Sequence, residues 1–507
     1  MSRTEKAAKG LVTGYLQFLV VVPLQFLVAP LIIKVAGTET LGAYQVIMQV
    51  VGYLTLVELG LPDAIARFAA RAFRAETVSE EFSDVLSSGR TLSLITNLGL
   101  ALLLVAFAMF LPAMLRLDRP TGDSARIALY IFAGWVVLRT PLSAYQGGLV
   151  AAQELAFTNI VGLLGTIIRL ATVLVLVAVG LGVSGLILAN VFSEFTVGIL
   201  CRKRLFRMFP VVRLTWTFRD KELLRQIVRY GAGAMLIGLA WRLTYNTDSI
   251  VVGYLFGASS VSVYYATQMS TTVGISIVNG LANSALPGIY QLHGMGDRVA
   301  LRRTLVGLLR YTFALALLFA VGLLLFNRAF VGLWVGPGLY AGTAMTIALA
   351  IFLVFNTLHR VVMVFLLAEG KVGFLGKLNL AEGIVNLCLS VVLGRSFGLA
   401  GVMIATVVVH VPTVSWTACR VFRMLELQFG EILTDAVVPA VLPVVVAGLG
   451  AFGVSRFGST SRWVALALPV CVFLLIAFVA GMTITLNSSE RLRIARIVKT
   501  RLGIFHV

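Results

Sequence analysis

The stretch GTETLGAY at residues 37–44 recurs later in the chain as GASSVSVY at residues 257–264. A second pair of segments, GVSGLILAN at 182–190 and GLAGVMIAT at 398–406, is separated by nearly the same distance along the chain, which we call the repeat offset. Two matches at nearly the same offset predict an internal repeat, in which two copies of one structural unit follow each other along the chain. We use this repeat to divide the sequence into equivalent parts.

The composition indicates a membrane protein. Of the 507 residues, 59% are hydrophobic and only 12% are charged, whereas a soluble chain is about half apolar and about a quarter charged. A spanning helix needs about 20 mostly apolar residues, because the hydrocarbon layer is about 30 Å thick. This criterion predicts fourteen spans, numbered 1 to 14 in chain order, at residues 11–33, 41–62, 91–114, 127–149, 159–180, 183–201, 231–256, 260–290, 306–327, 343–368, 377–394, 399–418, 436–455 and 463–486.

The basic residues predict that both ends of the chain are cytoplasmic. Short cytoplasmic loops carry an excess of Lys and Arg, and with the N-terminus inside, the inner segments hold 29 basic residues and the outer segments 8. Because the repeat offset covers six spans, both copies enter the membrane from the same side. The pseudo-twofold axis is therefore expected to run along the membrane normal.

We therefore predict an all-α polytopic membrane protein with about 14 transmembrane helices, built as two six-helix lobes in a parallel pseudo-twofold repeat plus two C-terminal helices. Loop charge beside anionic membrane lipids accounts for most of the +19 net charge, so we expect these lipids, and no nucleic acid, as partners of the basic segments. The predicted divisions are an N-lobe at 1–201, a basic cytoplasmic linker at 202–230, a C-lobe at 231–423, appended helices at 424–486 and a basic cytoplasmic tail at 487–507.

Three segments of the chain resemble a known family. They are LGAYQVIMQVVGYLTLVELGLPDAIARFAAR at 41–71, NTDSIVVGYLFGASSVSVYYA at 246–266 and FGLAGVMIATVV at 397–408. They are similar to recurrent segments of bacterial polysaccharide transporters, the Wzx-type flippases of lipid-linked oligosaccharides in the multidrug, oligosaccharidyl-lipid and polysaccharide exporter superfamily. The resemblance implies two lobes around a central cavity that opens alternately to either side of the bacterial cytoplasmic (inner) membrane. It also implies polysaccharide polymerase and assembly proteins as partners.

Three arginines within predicted spans form the principal candidate site. Arg139 in span 4 and Arg360 in span 10 are separated by nearly the repeat offset, and Arg242 is at the middle of span 7. A charge at the bilayer centre costs at least about 2.5 kcal/mol, so it normally faces protein or water. In the arrangement that the resemblance implies, these three spans border the cavity. Guanidinium groups bind phosphate oxygens bidentately, so we predict that the three arginines bind an anionic substrate, with interhelical hydrogen bonding as the alternative.

Polar side chains at helical spacing form a second set of candidates. Residues four or three apart lie on one face of a helix, and several such rows occur in spans 2, 7 and 8. We assign to substrate binding, besides the arginines, Gln45 and Gln49 in span 2, Tyr245 and Asn246 in span 7, and Gln268, Thr272, Asn279 and Asn283 in span 8.

Four acids within spans oppose a strongly positive cavity. Asp248 and Glu58 are possible ion-coupling residues, although Asp248 could equally pair within its lobe and Glu58 could simply be solvated at a helix end. Arg169 and Glu194, in the neighbouring spans 5 and 6, are predicted to form a structural ion pair. The fourth acid is Glu382.

Glu382 lies near a predicted cytoplasmic end, where we expect it to be solvated. His359 and His410 are the histidines within spans 10 and 12. Each could be a protonation site or a polar contact inside the bundle.

The sequence predicts a transporter and not an enzyme. It contains no nucleotide-binding or metal-binding motif, so we expect no catalytic residue, metal or cofactor. We predict a flippase that moves a polyprenyl-pyrophosphate-linked oligosaccharide by alternating access. The alternatives are a peptidoglycan-precursor lipid flippase or a multidrug/cation antiporter of the same superfamily, and then a membrane-embedded glycosyltransferase or ligase. A cation exporter should carry unpaired acids in its cavity where this chain has arginines.

Overall fold

The protein is almost entirely helical in the computed structural model. The structure describes residues 3–58, 65, 68–69, 73–74, 77–78, 80–216, 221–245, 247–455, 463–486 and 490–491. In these residues, β1 (Phe73–Arg74) and β2 (Thr77–Val78) pair antiparallel as a short hairpin. The predicted all-α class is confirmed.

Fifteen α-helices follow one another in the described ranges, with short 3-10 and π turns between some of them. Nine helical segments there are long and apolar enough to cross a membrane, or up to ten if one bent pair counts as a single span. The helices are α1 (Arg3–Leu54), α2 (Glu80–Leu115), α3 (Arg119–Leu138), α4 (Thr140–Ala151), α5 (Leu155–Ala178), α6 (Gly182–Met208), α7 (Lys221–Tyr245), α8 (Asp248–Phe256), α9 (Ala258–Gly294), α10 (Arg298–Trp334), α11 (Thr343–Ala368), α12 (Val372–Met424), α13 (Phe429–Ile432), α14 (Val438–Ser455) and α15 (Trp463–Ala480).

Where the structure describes them, the fourteen predicted spans lie on these helices to within a few residues at their ends. Two helices carry two spans each: α1 holds spans 1 and 2 and turns at Gly37 (φ 84°, ψ 168°), and α12 holds spans 11 and 12 and turns at Gly398 (φ 64°, ψ −148°). A positive φ is accessible to glycine at little cost because glycine has no Cβ. The prediction of about 14 transmembrane helices is therefore confirmed.

Span 4 is broken in the middle. The helices α3 and α4 meet at a bend of 47°, and Arg139 is the residue between them. Pro141 lies in the first turn of α4, where its missing N–H and its ring prevent α3 from continuing. Arg139 therefore lies at a helix break and not within a continuous helix.

The repeat is visible in the backbone of the first compact unit, residues 1–262. Gly257 has φ 84° and ψ 171°, which nearly equals the conformation of Gly37. The two equivalent turns also contact each other: Ser262 Oγ donates to the carbonyl of Thr38 at 2.6 Å. The turn motif found in the sequence thus forms the same structure twice.

The contact between the two turns requires a glycine at position 42. A Cβ placed on Gly42 would lie 1.7 Å from the carbonyl oxygen of Ala258 and 2.5 Å from its carbonyl carbon. The backbones of α1 and α9 therefore approach closely at a point where no side chain fits.

The second compact unit comprises residues 263–507. Its core is formed by apolar side chains of α9 to α12, among them Ile289, Leu305, Leu309, Val361 and Phe365, all 2% exposed or less. The first unit has its own core around Phe82, Leu86, Leu149 and Leu205. The predicted lobe limits at 201 and 231 stay predictions.

Two arginines that the sequence analysis did not single out are buried in the described structure. Arg90 and Arg310, which are separated by the repeat offset, are only 7% and 9% exposed. Arg90 stacks on Trp216, with Cζ 3.8 Å from the ring centre. Arg310 donates from Nε to the carbonyl of Asp435 at 2.6 Å and lies 3.9 Å from Glu490. Each arginine thus holds a segment that follows its own six predicted spans.

Candidate functional site

The first candidate arginine, Arg242, lies beside a break in span 7. It is in the last turn of α7, and α8 begins at Asp248. Carbonyl groups in the last turn of a helix are open to partners other than the helix itself, and the Tyr53 hydroxyl of α1 donates to the Arg242 carbonyl at 2.7 Å. The same hydroxyl is hydrogen-bonded to Thr247 Oγ1. Tyr53 therefore joins both sides of the break.

Space for the Arg242 guanidinium is provided by a glycine. A Cβ on Gly52 would lie 2.3 Å from Arg242 Nη1, so any larger residue there would displace the guanidinium. Asp248, 8% exposed, lies in the first turn of α8, where a negative charge is favoured by the helix dipole. Arg242 and Asp248 are both close enough to act electrostatically on Tyr53. The break thus carries one cation and one anion.

The second candidate, Arg139, is paired with Glu194, which corrects the predicted Arg169–Glu194 pair. Arg139 Nη1 lies 3.7 Å from Glu194 Oε2, and Trp135 Nε1 donates to the same oxygen at 2.6 Å. The helix α6, which carries Glu194, packs on both α3 and α5, and the direction of the Glu194 side chain on α6 selects Trp135 and Arg139 over Arg169. The side chains of Arg139 and Glu194 are 23% and 44% exposed, so the pair is open to solvent or ligand.

The third candidate, Arg360, lies on α11 in the second unit, and its Nη2 donates to Asn283 Oδ1 of α9. Two residues that the sequence analysis assigned to substrate binding are therefore in contact. Asn283 is the last residue of a row of polar side chains on α9 that we call the polar stripe, which consists of Gln268, Thr272, Ser276, Asn279 and Asn283. Three of these side chains are exposed, Thr272, Ser276 and Asn283, and the other two are half-buried.

The other predicted residues are only partly described. Gln45 and Gln49 are half-buried on α1. The side chains of Glu58 and Tyr245, and the whole of Asn246, lie outside the described residues. No group of three His, Cys, Asp or Glu in the described ranges is arranged to hold a metal ion.

Sequence reasoning missed a buried cluster in the second unit. The expectation that Glu382 is solvated is wrong, because Glu382 is 5% exposed and its Oε1 lies 2.6 Å from Nδ1 of His410. The two halves of α12 fold back on each other at Gly398, which stands nearly midway between Glu382 and His410 in the sequence. This near-equal spacing from the turn is the signal that could have predicted the pair.

Comparison with known proteins identifies relatives of the chain. A family model described as polysaccharide biosynthesis protein matches residues 8–293. The uncharacterized membrane protein EpsK of Bacillus subtilis (strain 168) is 22% identical over 400 residues, which cover 76% of this chain and 77% of EpsK. The resemblance drawn from the sequence is thus confirmed for the family.

Two solved structures share the fold. The lipid II flippase MurJ in an inward closed conformation has a TM-score of 0.70 at 13% identity, covering 93% of this chain and 98% of MurJ. An inward-facing multidrug resistance MATE family transporter of the MOP superfamily has a TM-score of 0.66 at 17% identity, covering 83% of this chain and 99% of that one. This chain is a multi-pass membrane protein with the fold of these transporters, and it belongs to the polysaccharide biosynthesis protein family.

Proposed function

We propose that this protein is a flippase that moves a polyprenyl-pyrophosphate-linked oligosaccharide across the bacterial cytoplasmic membrane by alternating access. The observation that carries the proposal is the polar stripe of α9, which is partly exposed and ends at the contact between Asn283 and Arg360. Hydrocarbon offers no hydrogen bonds, so such a row on a spanning helix needs water or a polar ligand beside it.

The chemistry of the cargo suits these side chains. A pyrophosphate carries at least two negative charges, and each sugar adds hydroxyl groups that are costly to strip of water. The Arg360 guanidinium supplies charge-assisted donors for phosphate oxygens. Amide and hydroxyl groups of the polar stripe can donate to and accept from sugar hydroxyls, while the prenyl tail stays in the lipid.

Arg139 and Arg242 belong to the same proposal. Both side chains are half-buried, and the separation of 3.7 Å between Arg139 and Glu194 is longer than a hydrogen bond. An arriving phosphate oxygen would therefore compete with the carboxylate for Arg139. We further propose that both chain termini are cytoplasmic, that the basic linker faces anionic lipids, and that polysaccharide polymerase and assembly proteins receive the cargo.

One observation favours a second candidate function. Asp248 is buried at the break between α7 and α8, as an exporter of organic cations would require. The fold shared with a protein named a lipid II flippase supports a third cargo, the peptidoglycan-precursor lipid, which has the same pyrophosphate chemistry. The test therefore needs three cargoes.

The test is transport by the purified protein in proteoliposomes. The cargoes are a polyprenyl-pyrophosphate-linked oligosaccharide, a peptidoglycan-precursor lipid and an organic cation. The variants Arg139→Gln, Arg242→Gln and Arg360→Gln are compared with Arg126→Gln, because Arg126 is 46% exposed and paired with Asp123 on the preceding turn of the same helix.

We expect movement of the oligosaccharide lipid and a roughly 10- to 100-fold slower rate in the three site variants. Each substitution removes a hydrogen bond to a charged group, which contributes about 1.5–3 kcal/mol. The Arg126 variant should transport at the parental rate. Equal rates in the parent and all three site variants would show that the assigned site is wrong, and movement of the organic cation alone would replace the proposal with cation export.

A further inference from the structure

Three titratable side chains from three helical segments meet inside the second unit. His359 of α11 is 6% exposed, Glu382 in the first half of α12 is 5% exposed, and His410 in the second half of α12 is 1% exposed. Glu382 Oε1 is 2.6 Å from His410 Nδ1, and the rings of His410 and His359 are 5.2 Å apart. We call these three residues the histidine cluster.

Polar atoms of the histidine cluster remain unsatisfied in the described structure. Glu382 Oε2 and His359 Nδ1 are buried and have no hydrogen-bond partner there. Leaving a buried polar atom without a hydrogen-bond partner costs about 1–3 kcal/mol of folding free energy. Apolar side chains could fill the same space without this cost. The two atoms therefore have capacity for a further proton or ligand.

The charge of the histidine cluster depends on a single proton. With Glu382 ionised and both imidazoles neutral, the cluster carries one negative charge, which is strongly disfavoured in an apolar interior. One proton delivered by hydronium forms an N–H bond with a lone pair of His410, or an O–H bond with Glu382, while the O–H bond of the hydronium breaks and leaves water. The net charge then becomes zero. The buried histidine cluster therefore retains this added proton, and release of the proton requires access to water.

We propose that His410, Glu382 and His359 form a proton-binding site that couples transport to the proton gradient. The coupling to transport rests on the proposed function, whereas proton binding itself rests on the geometry of the histidine cluster. Arg360, the residue after His359, lies within electrostatic range of His359 and contacts Asn283 of the polar stripe. Gaining or losing the buried charge thus acts next to a residue assigned to the cargo.

Two titratable groups on the neighbouring helices have partners outside the histidine cluster. On α10, which packs on α11, the buried Arg310 is held by Asp435 and Glu490. At the end of α9, His293 lies 3.6 Å from Glu369 in a pair that is 39% and 29% exposed. The pair of His293 and Glu369 has the same chemistry without the burial, so it provides a matched control.

Two other ligands define the rival outcomes. A transition metal would need three suitably placed ligands, and the described residues offer no such group. A sodium ion would prefer oxygen ligands, and Asn386 and Thr406, hydrogen-bonded to each other at 3.2 Å, lie in the same two halves of α12. Sodium is therefore tested beside the proton.

The experiment measures hydrogen–deuterium exchange of the full-length protein in nanodiscs between pH 5 and 9, at fixed sodium, and then at fixed pH with and without sodium. Peptides from α11 and α12 report on opening of the cluster. The variants are Glu382→Gln, His410→Gln and His359→Gln, each checked for monodispersity, with His293→Gln as the control. Transport of the lipid-linked oligosaccharide under an imposed pH gradient is measured separately.

In the parent and in His293→Gln, we expect the exchange of α11 and α12, corrected for intrinsic rates, to change by up to about tenfold per pH unit, as linkage to one proton requires. Any folded cluster variant should lose this dependence. A parent without pH dependence, a pH dependence retained in the folded cluster variants, or a response to sodium in place of pH would overturn the proton site. A pH-dependent parent that moves no cargo would leave the proton site standing and overturn the proposed flippase.

Discussion

The close approach of the two equivalent turns predicts that Gly42→Ala destabilises the first unit. The new Cβ would lie 1.7 Å from the Ala258 carbonyl oxygen, where ordinary contact begins at 3.4 Å, and the obstructing atom is backbone. The two backbone segments must therefore separate by about 1.7 Å. A displacement of that size also breaks the 2.6 Å hydrogen bond from Ser262 to Thr38.

The magnitude follows from three effects. Overpacking costs about 1–3 kcal/mol, the lost hydrogen bond about 0.5–1.5 kcal/mol, and the better helix propensity of alanine returns up to about 1 kcal/mol. The net loss is about 0.5–4.5 kcal/mol. For a cooperative unit of about 250 residues this lowers the Tm by about 1–18 °C.

The assay is thermal unfolding of the purified protein in detergent, followed by intrinsic fluorescence. Gly134→Ala is the control, because Gly134 is exposed within α3 and an added Cβ meets nothing within 4 Å. That substitution should leave the Tm unchanged or raise it. A Tm for Gly42→Ala that equals or exceeds the Tm of the control would refute the close contact between the turns.

Three further predictions concern single contacts. Ser262→Ala should lower the free energy of unfolding by about 0.5–1 kcal/mol, and combined with Gly42→Ala it should add almost nothing; full additivity in the double variant would contradict the shared contact. Trp135→Phe removes the donor to Glu194 and should cost about 1 kcal/mol of the unfolding free energy measured in denaturant, whereas an unchanged value would argue against that hydrogen bond. Arg90→Lys weakens the stacking on Trp216, so limited proteolysis should cut the segment at 209–216 faster than in the parent. An unchanged cleavage rate would count against the anchoring role.

The sequence predicts the helices well because the length of the spans and the internal repeat depend on the order of apolar, glycine and proline residues. Apolar runs of about 20 residues locate each span, and the repeat offset makes Gly37 and Gly257 equivalent, which adopt the same conformation. The break beside Arg139 follows from Pro141. The apolar runs, the repeated glycines and the proline can all be identified in the sequence without knowledge of which helices pack together.

Partners of side chains are much harder to predict. Whether Glu194 meets Arg139 or Arg169 depends on how each helix is rotated about its axis, and hydropathy in a chain this apolar hardly constrains that rotation. The same holds for Glu382, which a rule based on distance from the membrane surface placed in solvent although it is paired with His410.

The anchors at Arg90 and Arg310 bear on the history of the gene. Their partners Trp216 and Asp435 are separated by almost the same distance along the chain as the arginines themselves, although one contact uses an aromatic ring and the other a carbonyl group. Two contacts at equivalent positions that use different chemical groups are expected when a duplicated contact has changed by substitution in one or both copies. An ancestor of half this length would thus already have fastened its trailing chain to its third membrane helix before the copies diverged.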